Sequence, residues 1–143
     1  MAITDVVRVL GGETLIGGPV HSPAELDVRL RQGLPRQSLE VLSAQLEPDP
    51  GRRKRLVWAI VPRATWTRRK DRLSAAESEV VERLGRLWSQ ALAVWESEDG
   101  ARAFFRAPHA MLGGRSPFDA ALTELGGRQV ERILLALEHG LPA

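Results

Sequence analysis

The chain has 143 residues, 43% of them hydrophobic and 27% charged, which fits one compact unit or two small helical subdomains sharing a core. Its net charge of +2 divides unevenly: twelve Lys/Arg against seven Asp/Glu give +5 over residues 1–70, and eight against eleven give −3 over residues 71–143. The longest clean apolar stretch, Leu56 to Val61, is too short to cross a bilayer, the start lacks the pattern of a secretory signal, and the absence of cysteine removes disulfide and thiolate chemistry. A cytoplasmic protein without membrane contact is expected. The charge asymmetry suggests different partners for each half, with nucleic acid the candidate for the basic part and plain surface scatter the alternative.

Residues 1–20 hold four glycines among Val, Leu and Ile without a helical period, which predicts a flexible or extended arm. Helix signals begin at Ser22-Pro23-Ala24-Glu25. The serine caps free N–H groups, proline at the first helical position gives up no bond, and Glu25 completes a capping box. A short helix to Gln32 is expected, stopped by Gly33-Leu34-Pro35, then a second from Arg36 to Leu46 with Leu39, Leu42 and Leu46 on one face. Glu47-Pro48-Asp49-Pro50-Gly51 predicts a loop. The basic run Arg52-Arg53-Lys54-Arg55 follows, then Leu56 to Val61, which composition leaves open between a buried strand and a buried helix end. Pro62 closes that run, and another short helix is expected over residues 63–72.

Ser74-Ala75-Ala76-Glu77 is a second capping box, and the helix behind it carries the clearest pattern in the chain. Val80, Val81, Leu84, Leu87, Trp88, Ala91 and Trp95 recur at three- and four-residue spacing and form one apolar stripe. Ser97-Glu98-Asp99 restarts a helix through Phe104 and Phe105, with acids near its positive end. A loop is expected from Pro108 to Gly114, a short helix from Ser116-Pro117-Phe118-Asp119 to Thr123, and a last helix with Val130, Ile133, Leu134 and Leu137 on one face, ending at Gly140. The fold class is all-α. Core packing is the expected role of Trp58, Trp66, Trp88 and Trp95, although Trp66 alone sits among basic residues as a base-stacking aromatic would.

No catalytic pattern is visible. His21, His109 and His139 stand far apart with no metal-ligand spacing, and Gly11-Gly12 and Gly17-Gly18 match neither a dinucleotide fingerprint nor a P-loop. There is no nucleophile elbow, and Glu77/Glu79 and Glu96/Glu98 lie where they cap or solvate helices. The expectation is a chain that is not an enzyme, with no catalytic residues, no metal and no cofactor.

From Glu25 onward the order of motifs resembles the Xre/MbcA/ParS family of antitoxins, over about 120 residues. The residues that carry the resemblance are Gly33-Leu34-Pro35; Thr65-Trp66-Thr67-Arg68-Arg69-Lys70; Leu73-Ser74 with Glu77-Ser78; and Ala101 to Phe105 leading into Arg106-Ala107-Pro108-His109. Leu112-Gly113-Gly114-Arg115-Ser116-Pro117-Phe118, Gly126 to Val130 and Leu137-Glu138-His139-Gly140 complete it. The resemblance implies a divergent helix-turn-helix region, residues 21–72, followed by a small helical toxin-binding domain, residues 73–143. It also implies a homodimer, and a cognate RES-domain toxin that consumes NAD by hydrolysis or ADP-ribosyl transfer. Such an antitoxin covers the toxin's NAD cleft, and the complex represses its own operon by binding operator DNA.

The residues expected to meet the toxin are Arg106, Pro108, His109, Met111, Leu112, Gly113, Gly114, Arg115 and Phe118, together with His139. Two glycines let a partner backbone approach closely, and Met111, Leu112 and Phe118 can serve as anchors. In the alternative, Leu112 and Phe118 plug the chain's own core. For DNA, Arg63, Thr65, Thr67, Arg68, Arg69, Lys70 and Arg72 supply a recognition helix with Trp66 packing it down, a solvated basic helix being the alternative. One departure stands out: two prolines, a glycine and four basic residues precede that helix, so the first helix of the motif is expected to be short or displaced. The basic loop Arg52, Arg53, Lys54 and Arg55 can then reach the toxin instead, pairing with an acidic residue or filling NAD's place.

Overall fold

The computed structural model describes residues 2–141, so the expected segment limits at residues 1 and 143 lie outside it. Its longest helix is α7 (Ala75–Trp95), and the sequence dictates why. Ser74 Oγ accepts the Glu77 amide at 3.1 Å while Glu77 accepts the Ser74 amide at 2.7 Å, a complete capping box. From that start Val81, Leu84, Leu87, Trp88 and Ala91 form one buried stripe. Trp95, expected on the same stripe, is 40% exposed: it sits in the last turn and leans on Phe104 rather than on the interior.

Before α7 come α1 (Ile3–Val9), α2 (Glu13–Ile16), α3 (Pro23–Gln32), α4 (Arg36–Leu46), α5 (Pro50–Ile60) and α6 (Arg63–Arg68). After it come α8 (Glu98–Arg106), a 3₁₀ turn (Ala110–Leu112), α9 (Pro117–Ala120) and α10 (Glu124–Glu138). No strand occurs among the described residues, only an isolated antiparallel bridge between Pro35 and Arg72. Helices α1, α3, α4, α5, α8 and α10 all pack on α7. One apolar cluster therefore runs from Val6 through Leu39 and Trp88 to Leu134, across all three expected segments. No helix among the described residues is long and apolar enough to cross a membrane.

The expected arm at residues 1–20 is corrected. It folds into α1 and α2, and Val6, Val7, Val9, Leu10, Ile16 and Val20 are buried. Gly85 of α7 makes room for it, since a Cβ there would stand 2.9 Å from Leu10 Cδ2. Seven residues are too few to display a helical period, which is why the pattern stayed hidden.

The expected loop at 47–51 is shorter than its composition suggested. Helix α5 starts at Pro50, with Asp49 accepting the Arg52 amide at 2.9 Å, so the first helix of the basic region has 11 residues and is not truncated. Arg52 to Arg55 therefore lie on a helix, not a loop, and Leu56 to Ile60 continue it, which excludes the strand. Helix α6 ends at Arg68, four residues earlier than expected, because the chain then turns extended to bond Asp71 O to the Arg36 amide and Leu34 O to the Leu73 amide, each at 2.9 Å. Ser22 caps α3 as expected, but Glu25 accepts the His21 amide at 2.7 Å in place of the serine's own.

Candidate functional site

The segment between α8 and α9 is held rigidly by its own hydrogen bonds. His109 Nδ1 accepts the Met111 amide at 3.1 Å, the His109 amide bonds Arg115 O at 3.0 Å, and the Gly114 amide bonds His109 O at 3.1 Å. Gly113 and Gly114 have φ of +67° and +83°, and a Cβ on either would meet nothing within 4 Å. They are there for the backbone turn and leave an open approach. Met111 projects at 60% exposure, with Pro108 and Arg115 exposed beside it.

Leu112 is corrected as an anchor: at 1% exposure it plugs this turn, as the core alternative has it. Phe118 is half-buried and keeps one face available. His139 is exposed at the C-terminal end of α10. Arg115 Nη2 reaches Gln129 Oε1 at 3.3 Å, so the loop sits beside the N-terminal half of α10. His139 is ten residues further along, roughly 15 Å of helix rise, and is not brought to the loop.

The structure joins the basic run to this loop through one residue. Arg52 and Leu56 of α5 line a cleft of about 250 Å³ with Leu46, Glu47, Phe105, Arg106, Ser116 and Phe118. Arg106 Nη2 holds Glu47 Oε2 at 2.7 Å across it, and Glu47 also accepts the Asp49 amide at 3.0 Å. Its lining is mostly apolar, and its two guanidiniums already have partners, Arg106 with Glu47 and Arg52 with Asp49 at 3.8 Å. Arg53 is drawn away, donating to Glu47 O at 2.9 Å and Pro48 O at 2.7 Å as a brace for the turn. Lys54 lies on the other flank, near Trp58 and Trp66, and Arg55 is exposed. The Asp49 carboxyl is held below the ordinary aspartate range, first by the Arg52 amide and then by the charges of Arg52 and Arg55.

The second expected set divides in two. Arg63, Thr67, Arg68 and Lys70 are exposed and Thr65 is half-exposed on and just after α6. Arg63 stacks on Trp58 at 4.8 Å, and Thr67 Oγ1 donates to Arg63 O at 2.9 Å. Arg69 instead pairs with Glu77 at 2.9 Å, and Arg72 Nη1 donates to Gly33 O at 2.8 Å, so both hold the chain together. Arg36 was missed at the sequence level. Its guanidinium stacks 3.7 Å over Trp66, donates to Trp66 O at 2.7 Å and to Arg69 O, and so caps the last carbonyls of α6. Also missed were Leu125 and Leu135 on α10, at 64% and 42% exposure. The available signal was their position off the stripe of Val130, Ile133, Leu134 and Leu137.

Among the described residues no group of three or more His, Asp or Glu is placed to hold a metal ion. Residues 90–140 match the family model of the antitoxin Xre/MbcA/ParS C-terminal toxin-binding domain. That span takes in the end of α7, then α8, the 3₁₀ turn, α9 and α10. No curated protein matches the chain.

Proposed function

We propose, from the match of residues 90–140 to the Xre/MbcA/ParS antitoxin toxin-binding domain, that the chain is an antitoxin that binds a cognate RES-domain toxin and blocks its NAD-consuming active site. The observation that carries this reading is the exposed, internally braced loop at residues 106–118 inside the matched segment. An inhibitor needs a shape-complementary surface with a few anchors, not catalytic groups. Met111 and the exposed face of Phe118 supply the apolar part, and the exposed Arg106 and Arg115 supply guanidiniums beside them. The domain division at residues 72 and 73 belongs to this reading as a division of labour. So do a homodimer, a cytoplasmic location and the absence of an activity of its own.

Co-expression tests it. A RES-domain protein encoded beside this chain should arrest growth and deplete NAD, and the wild-type chain should restore both. Met111→Glu and Arg106→Glu, each checked for an unchanged helical spectrum, should lose rescue. Growth restored while NAD stays depleted would refute active-site blocking.

A second reading, repression of its own operon, draws on the exposure of Arg63, Thr67, Arg68 and Lys70 beside a full-length α5. Binding to the upstream DNA should then weaken steeply with salt, because each phosphate contact releases counterions. The role fails if neither the free chain nor its toxin complex binds that DNA.

A further inference from the structure

Resting on the antitoxin reading above, we propose that the outward stripe of α10, formed by Leu125, Arg128, Arg132, Leu135 and the cap residue His139, is a second toxin-contacting surface that enters an apolar groove rimmed by carboxylates. These positions are spaced by three, four, three and four residues, so they share one helix face, and all five are exposed. The opposite face carries Val130, Ile133 and Leu134, all buried. The interior therefore fixes which way the stripe points.

A single exposed leucine is ordinary. Here Leu125 at 64% and Leu135 at 42% lie on one stripe, about 15 Å apart along the helix, with Arg132 between them. Of the six large hydrophobic residues left exposed among those described, Trp95, Met111, Leu125 and Leu135 fall inside residues 90–140. The stripe is continuous with the loop, since Gln129, one turn from Leu125, accepts from Arg115 at 3.3 Å.

Charge selects the partner's chemistry. The C-terminal half carries a net −3, yet this stripe holds two arginines and no acid. Arg128 pairs with Glu124 at 3.0 Å on the stripe's border, and Arg132 has no salt bridge among the described residues. Two apolar anchors separated by a free cation, on a helix already folded, match the helix-in-groove mode of recognition. The charge complement is an acidic toxin surface, which a second copy of this acidic half lacks at its own stripe.

The test measures binding of the full chain and its variants to the purified RES-domain protein encoded beside it. Leu125→Glu/Leu135→Glu should bind at least tenfold more weakly than wild type, and Arg132→Glu severalfold more weakly, with melting temperatures unchanged because all three side chains face solvent. Wild-type binding with the double variant within twofold of it, while Met111→Glu is weakened, would leave the antitoxin reading intact and overturn the stripe. Loss of self-association in the double variant at unchanged toxin affinity would assign the stripe to a second copy and overturn it equally. If the wild-type chain itself does not bind, the antitoxin reading fails first. Should the double variant not fold, Arg132→Glu alone decides, and unchanged affinity there counts against the proposal.

Discussion

Arg36 carries more structure than any other cation in the basic half. It joins the start of α4 to the end of α6 by stacking on Trp66 and by donating to the carbonyls of Trp66 and Arg69. Its side chain is only 24% exposed, so the bonds are poorly replaced by water. Arg36→Ala should lower stability by about 2 kcal/mol, read as a fall in denaturation midpoint with altered Trp66 emission. Arg36→Lys should recover little, since an ammonium lacks the planar fork. Recovery by lysine would show that charge alone matters here. Asp49 provides a pH-dependent element at the same scale. Its folded pKa is depressed, so the α5 cap is complete above the ordinary aspartate range and is lost as pH falls through the lower folded value. The Arg52 amide resonance should titrate with a midpoint below that of an ordinary aspartate. A midpoint at or above the ordinary aspartate value would contradict the assignment.

At the scale of elements, the N-terminal helices are the clearest test of the fold. Six buried side chains come from residues 1–20, each worth about 1.5–3 kcal/mol, against a total margin of about 5–15 kcal/mol. Deleting residues 1–20 should abolish cooperative melting, whereas a true arm would come off without loss. Gly126 is a second test. A Cβ there would lie 1.8 Å from Ala120 O, where α9 turns into α10, so Gly126→Ala should cost about 3 kcal/mol in denaturant unfolding. Long helices with caps were legible in the sequence: α3, α4, α7, α8 and α10 follow from Ser22, the leucines of α4, the Ser74 box, Ser97 and the Val130 stripe. The short α1 and α2 were not, because two turns show no period and glycines read as flexibility. Nor was α5, where prolines at a cap imitate prolines in a loop. Within the candidate site, the exposure of Met111 and the turn at Gly113 and Gly114 could be read from residue type. The burial of Leu112, the Glu47–Arg106 pair and the role of Arg36 could not, because each depends on residues at least thirty positions apart or on which face the core claims.

For the whole molecule, the uneven charge and the single core act at different ranges. The basic excess over residues 1–70 splits on folding: Arg53, Arg36 and Arg69 are spent on carbonyls and carboxylates, and Arg63, Arg68, Lys70, Lys54 and Arg55 remain for solvent or a partner. Net charge therefore overstates the cationic surface available to DNA. If operator binding occurs, Arg68→Ala should reduce its salt slope by about one phosphate contact, while Arg69→Ala should act mainly by lowering stability.

Helix α7 is unbroken over 21 residues, carrying α1 and α3 as well as α8 and α10 of the matched segment. No break in α7 separates α1 and α3 from α8 and α10, so order gained at one pair is passed along a single helix. A partner gripping residues 90–140 should consequently slow hydrogen exchange at the amides of Val9 and Leu10, at the end of α1 and outside the matched segment. The far end of the molecule would then report occupancy as faithfully as the binding surface itself.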